Sequence, residues 1–516
     1  VAASNFLGEV RLRGAKLTLS GNGRLNNAWK FEIENGGTLF LDNSGTAQAD
    51  RISDFAIIEL STGNLHLSGR SSGSLTEQVG QLLLSSGANT IQLTHQGGAG
   101  SFTALALAIF QPEGFSTFNL TANRRFGTGD DLNSVRLFVN TPFGFPFPIG
   151  QALWMGTVEG EDWVIPTQPG DGNTYFVPLS SGDYYTGTPQ SWNSSHEVLI
   201  QNNNTTYVPW SSTGIQINTL KLGNSANLEL DATLHTMGLL STGQSDNYIY
   251  GWNGRLRFLY AHVYSPTLHI TNGVTLFSGF TKTGPGTLRI NAPSAWHQVN
   301  TLVIHQGRVV FQSGNMETRT LYIGDGTGTD IMELPANRFD PIEGVGTSEE
   351  PARRLFITLK GSPYGDPNSG EFDSAILRFG GGTVQNAYQL QVEGRGTLDF
   401  AGGTESAPNQ LFLEHLILAD FDTTMLFIRN WIDQQDFLLV RRSQANINRI
   451  DSDFLSRIYF EDHGGPGAEW VYWNDLYWQI RPLPEPSTYG AIFGIVGLGL
   501  ITWRKWRRVS KERSAK

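Results

Sequence analysis

The stretch Gly37-Thr38-Leu39-Phe40-Leu41 returns as Gly63-Asn64-Leu65-His66-Leu67 and again as Ala88-Asn89-Thr90-Ile91-Gln92-Leu93. Each copy places apolar side chains at every second position after a turn, the period of a β-strand with one buried face. Leu39, Leu65 and Ile91 are separated by 26 and 26 residues. Self-similarity at a period of about 20–50 residues marks a stacked architecture. An earlier copy is Leu17-Thr18-Leu19-Ser20-Gly21; later ones are Gly286-Thr287-Leu288-Arg289-Ile290, Gly307-Arg308-Val309-Val310-Phe311 and Gly396-Thr397-Leu398-Asp399-Phe400. Two packed sheets would also alternate. The irregular intervals between copies favour a coil, because each turn of a coil pairs only with its neighbours and tolerates a variable loop. The predicted fold class is all-β, a right-handed parallel β-solenoid. At about 4.8 Å per coil, a dozen and a half coils make one rod of about 80 Å.

Sixty glycines and 16% charged residues agree with many short strands and tight turns. The chain has no cysteine, which removes disulfides, thiolate zinc sites and cysteine nucleophiles. Net charge is −11, and the segment from Arg504 holds seven basic residues and one acidic one, so the rest carries −17. Such a body does not bind nucleic acid through bulk electrostatics.

Residues 1–400 read as coils, interrupted at about 111–215 by an aromatic and Pro-rich insert expected to pack as loops on the side of the rod. It holds Thr141 to Pro148, Trp154, Trp163, Tyr175, Phe176, Tyr184, Tyr185, Trp192 and Trp210. Residues 401–483 read as an end-piece, with Trp470, Tyr472, Trp473, Tyr477 and Trp478 covering the last strand edges. Within it, Asp451 is placed to cap one short helical turn.

Residues 484–516 form a distinct tail. Pro484-Glu485-Pro486 precedes an apolar run carrying Tyr489, Ile492, Phe493, Ile495, Val496, Leu498, Leu500, Ile501 and Trp503. Arg504, Lys505, Arg507 and Arg508 follow. Eighteen uncharged residues lie between Glu485 and Arg504, about 27 Å of helix and enough for a single transmembrane helix. Positive residues stay on the cytoplasmic side, which predicts a body outside the membrane and a cytosolic terminus. The chain begins at Val1 without a leader, so an export signal is expected to have been removed, or the sequence is a fragment.

The tail resembles the PEP-CTERM sorting signal of Gram-negative bacteria. Pro484, Glu485 and Pro486 match its tripeptide, and Arg504 to Arg508 match its basic cluster. The resemblance implies recognition and cleavage by an exosortase-type protease at the inner membrane, with the helix a transient anchor. Thr281-Lys282-Thr283-Gly284-Pro285-Gly286-Thr287-Leu288-Arg289-Ile290 is similar to the autotransporter-associated β-strand repeat, Lys-x-Gly-x-Gly-Thr-Leu-x-Leu, with Ile290 in place of the last Leu. That likeness implies an extracellular β-helix of structural or adhesive use, an adhesin or matrix component. No region resembling an autotransporter's membrane barrel is present, so that secretion route is not expected.

Other constellations are weaker. Gly69-Arg70-Ser71-Ser72-Gly73 fits Gly-x-Ser-x-Gly but lacks the strand-to-helix context of a nucleophile elbow. Asp325 to Asp330 and Gly129-Asp130-Asp131 place carboxylates in Gly-rich turns, where Asx turns are commoner than calcium sites. A polysaccharide lyase or glycosidase on the same fold needs converging carboxylates. Asp399, Glu405, Glu414, Asp420 and Asp422 are available without a phase that groups them. A polysaccharide-binding protein would instead show exposed, coplanar aromatics in the insert. No catalytic residue, metal site or cofactor is assigned. Extracellular polysaccharide and the sorting protease are the expected partners.

Overall fold

Leu39, Leu65, Ile91 and Leu120 stand directly above one another, paired in register on adjacent parallel strands and fully buried. Each such side chain contributes about 1.5–3 kcal/mol on leaving water, and a one-residue slip would turn the whole row outward. The computed structural model describes residues 6–483 apart from 47, 49, 141–146, 339, 345–353, 364–373, 421 and 464. The molecule is all-β with long parallel sheets. In most of the chain each strand pairs not with the next strand but with the next but one. Two sequence-adjacent strands therefore make one coil, on opposite faces, and the following coil lies on top. A sandwich of antiparallel sheets is excluded by this register.

The coils form two stacks. The first has six coils, from strand Glu9–Arg13 to strand Ser134–Val139. Its two faces are then joined into one 14-stranded sheet by Leu153–Val158, which adds in parallel to Thr117–Ala122, and by the antiparallel strands Asp162–Thr167 and Thr174–Pro178. The second stack runs from strands Glu197–Ile200 and Thr205–Val208 to strands Asp436–Arg441 and Ile458–Phe460, with one sheet on each face. One row there passes through Leu268, Leu288, Val309, Met332, Leu377, Leu398, Ile428 and Phe460. Parallel coils thus continue past residue 400. The cap proper is the hairpin of strands Ala468–Tyr472 and Tyr477–Pro482, laid antiparallel on Asp436–Arg441. Trp470 and Trp478 stack there at 4.9 Å, with the Arg442 guanidinium 4.8 Å over Trp478.

Several strands cover more than one side of the coil. In Leu75–Ser86 the buried residues are Leu75, Glu77 and Val79, then Leu82 and Leu84. The alternation skips one beat at Gly80-Gln81, which turns the strand around a corner while its core face stays inward. Gly80 is required there because a Cβ would lie 2.8 Å from the carbonyl of Phe55.

The single rod expected from the repeat is instead a hairpin of two stacks. Ala152 N donates to the Glu197 carboxylate at 2.9 Å, and Tyr260 OH to Gly114 O at 3.1 Å. Ala88 N donates to Asp325 Oδ2 at 3.1 Å, and Arg13 and Asp420 line one groove. Residue numbers fall on one side of this seam as they rise on the other, so the stacks run in opposite directions. Each has its own apolar core, and a small third cluster of Ala152, Trp163, Leu179, Tyr184 and Leu240 fills the junction.

The insert is not a set of side loops. Trp163, Tyr175, Phe176, Tyr184 and Trp192 are buried, where they close the first stack and start the second. The sorting motif Pro484–Pro486, the apolar run to Trp503 and the basic cluster lie outside the described residues. Among the described residues no helix is long and apolar enough to cross a membrane.

Candidate functional site: the seam between the stacks

The seam is made by corners. Along the first stack the tight corner of each coil takes a left-handed residue in turn: Gly14, Asn35 with Gly36, Thr62, Gly87 and Gly114 all have φ between 50° and 76°. Thr62 is the exception to the small or amide-bearing residues that tolerate this region, and hydrogen bonds hold it there. Its Oγ1 accepts from Asn35 N at 3.1 Å and donates to Asp325 O at 3.0 Å across the seam. Gly87 must lack a Cβ, which would meet Thr62 Cγ2 at 2.0 Å.

From the second stack, the corner after strand Thr320–Ile323 presents Asp325. Its Oδ1 accepts from Thr327 N and Oγ1 at 3.1 and 2.9 Å, an Asx turn, while Oδ2 takes Ala88 N. Burial pushes this carboxyl up to about 7. A polar cavity of about 340 Å³ lies beside it, lined by Asn89 and Asn119 of one stack and His262, Tyr264 and His305 of the other. His262 Nε2 lies 2.9 Å from Trp154 O and Nδ1 2.7 Å from Thr283 Oγ1. The carbonyl can only accept, so Nε2 carries a proton; burial holds the pKa of His262 down to about 4, which favours the neutral ring. His305 is held lower still, to about 3, by burial. The seam is thus a hydrogen-bonded fastening with a polar cavity at its centre. The Asp325 carboxyl and His262 Nε2 are committed to the opposite stack, and His262 Nδ1 is left to accept from the Thr283 hydroxyl in the wall of the same cavity.

Lys282 sits one layer behind. Its Nζ donates to Gly284 O, Gly286 O and Gln306 O at 2.5, 2.5 and 2.6 Å, one acceptor for each N–H. Gly284 takes φ +79, and a Cβ on Gly286 would lie 2.0 Å from Ser265 O. The Lys-x-Gly-x-Gly phrase is therefore a corner clamp: the glycines turn the chain tightly and the ammonium ties two successive corners. Burial lowers its pKa to about 7, while the three carbonyls favour the charged form.

The acidic residues considered for catalysis do not converge. Asp399 accepts from Arg378 Nε and Asn430 Nδ2, both at 2.7 Å, and is buried. Glu414 lies on the other face, paired with Arg441 at 2.7 Å. Asp420 accepts from Asp422 N and Thr423 Oγ1 at 3.0 Å, contacts that hold it below the usual carboxylate range. Glu405 and Asp422 are exposed at separate turns. The Gly69–Gly73 phrase is a loop between strands Asn64–Ser68 and Leu75–Ser86, with no helix after it. Asp131 is engaged by Arg125 and Thr128 at 2.9 Å. Among the described residues no group of three His, Asp or Glu is placed to hold a metal ion.

Sequence reasoning missed Thr62, Asp325 as a fastener and the buried pair of His262 and His305. Only a β-branched residue at a corner that elsewhere uses Gly or Asn could have pointed to the first. No family model, no curated protein and no solved structure matches this chain.

Proposed function

We propose that this chain is an exported bacterial protein of the cell surface or extracellular matrix, a right-handed parallel β-solenoid whose task is structural or adhesive. It is delivered through its C-terminal tail. Pro484, Glu485 and Pro486 are recognised by an exosortase-type protease, the run from Tyr489 to Trp503 anchors the chain for a time, and Arg504, Lys505, Arg507 and Arg508 keep the terminus in the cytosol. A Pro-x-Pro sequence favours extended backbone and lacks two backbone donors, which suits a peptide lying in a protease cleft.

The observation that carries the structural part of this reading is the doubled stack. Thr62 and Asp325 in the seam, and Asp399, Glu414 and Asp420 along the coils, are engaged with the protein itself, which supports a scaffold rather than a catalyst. The test is replacement of Pro484, Glu485 and Pro486 by Ala in the native host, followed by membrane fractionation and intact mass. The expected result is an uncut, membrane-retained protein. Release at the normal rate and mass would sink the assignment.

A further inference from the structure

The first three coils of the second stack share an unusual corner. Strands Thr205–Val208, Asn227–Leu230 and Asn247–Tyr250 pair in parallel, and each leads through a turn into the opposite sheet. The first turn carries Trp210, the second is only Asp231-Ala232, and the third is Gly251-Trp252-Asn253-Gly254. Trp210 is 75% exposed and Trp252 82%. Gly251 presses the third turn against the second, since a Cβ there would lie 1.8 Å from Leu230 O. The indole that follows is left in solvent.

Two bulky aromatics therefore rise on either side of a short turn. They bound a groove of about 540 Å³ whose other members include Asp231, Asn253 and Arg255. Asp231 accepts from Tyr207 OH through its exposed Oδ2 at 2.9 Å, while its Oδ1 is buried without a partner. Among the described residues the Arg255 guanidinium has no ion pair or hydrogen bond, although it stands within a coil of that carboxylate.

We propose that this corner is a binding slot for one neutral hexopyranose unit of a polysaccharide. The turns that bear the indoles are two coils apart, about 10 Å, and apolar atoms touch at about 3.5–4.0 Å. A ring held between two aromatic faces needs about 7–8 Å by the same distances, within reach of small side-chain rotations. A pyranose presents C–H faces to the indoles and hydroxyls at its rim, which the remaining lone pairs of the exposed Asp231 Oδ2 and donors at Asn253 and Arg255 complement. A wholly apolar occupant would strip water from those three groups without replacing its hydrogen bonds. A polyanion meets a body of strongly negative charge.

This inference stands apart from the sorting reading, and either can fail alone. The test is titration of the full chain with cellohexaose, laminarihexaose and maltohexaose, followed by tryptophan fluorescence and calorimetry. Saturable binding of at least one, weakened about tenfold or more in both W210A and W252A with unchanged melting temperatures, is the expected result. No signal from any of the three up to about 10 mM, or binding untouched in the W210A/W252A double variant, overturns the slot. So does binding confined to polygalacturonate and abolished by salt, which would make the site electrostatic.

Discussion

The two stacks wind the chain in the same way but differ in where they keep their slack. In the first, Leu39 to Leu65 to Ile91 takes 26 residues per coil; in the second, Leu228 to Ile249 and Leu288 to Val309 take 21, and later coils lengthen, Met332 to Leu377 taking 45. Between the 26-residue and the 21-residue coils the difference lies at one corner. The first stack turns through residues 14–15, 35–37 and 62–63 at the seam, but through 20–29 and 43–56 on the far side. The second turns through 223–226 and 231–232. In the first stack a corner that meets the neighbouring stack is short and left-handed, and one that meets solvent can lengthen. The second stack's corner that presents Asp325, by contrast, spans residues 324–329. The long loop at 43–56 is still pinned, because buried Arg51 donates to Asn43 Oδ1 and to the carbonyls of Gly21, Gly23 and Thr46 at 2.7–3.1 Å. The ends differ too: an antiparallel weld unites the faces of the first stack, and an added hairpin covers one face of the second.

The sharpest way to break this comparison is at the weld. Trp163 is fully buried in the junction cluster, and its ring lies against Gly238 of the second stack. Trp163→Ala should cost about 3–5 kcal/mol and separate urea unfolding into two transitions, the first stack melting earlier. A single shifted transition would mean that the stacks are not distinct cooperative units. Next comes the clamp. Lys282→Met leaves three buried carbonyls without their donor and should cost about 3 kcal/mol. Hydrogen exchange should rise at residues 284–311 while strands Thr38–Asp42 and Asn64–Ser68 keep their protection. Equal loss in both stacks would show that the clamp is not local.

The smallest effect concerns pH at the seam. The Asp325 carboxyl is raised by burial from 3.8 to about 7. Between those values the folded chain binds the proton more than the unfolded chain does, so stability from this group is full at low pH and lost as pH rises through 7. Asp325→Asn should lower stability by about 1 kcal/mol at pH 5, with the gap closing towards pH 8 in paired melting curves. A gap that stays constant would place the native carboxyl at its ordinary value.

The coils were legible because a strand with one buried face announces itself at every second residue, and Leu39, Leu65 and Ile91 do so at a fixed interval. Asp451 was legible as a cap, and its side chain accepts from Phe454 N at 2.9 Å. The hairpin of stacks was not. It is held by Thr62, Ala88, Gly114 and Asp325, small or polar residues at corners, where no periodicity operates and backbone groups supply much of the contact. The strands that round a corner hid for a related reason: a skipped beat at Gly80-Gln81 looks like the end of a strand. Trp252 was overlooked because a Gly-Trp-Asn-Gly turn reads as punctuation, although such a turn has no need of its indole.

Because the coils double back, residue 13 and residue 420 share one end of the molecule, with the hairpin of strands Ala468–Tyr472 and Tyr477–Pro482 two strand layers beyond. Tension applied between residue 9 and residue 482 would therefore act across the join from one extremity, prising it open contact by contact. Tension entering at opposite extremities would load all of those contacts in shear. Under the same total adhesion the first geometry yields gradually and the second resists until it fails, so the point of attachment decides how this molecule bears a pull.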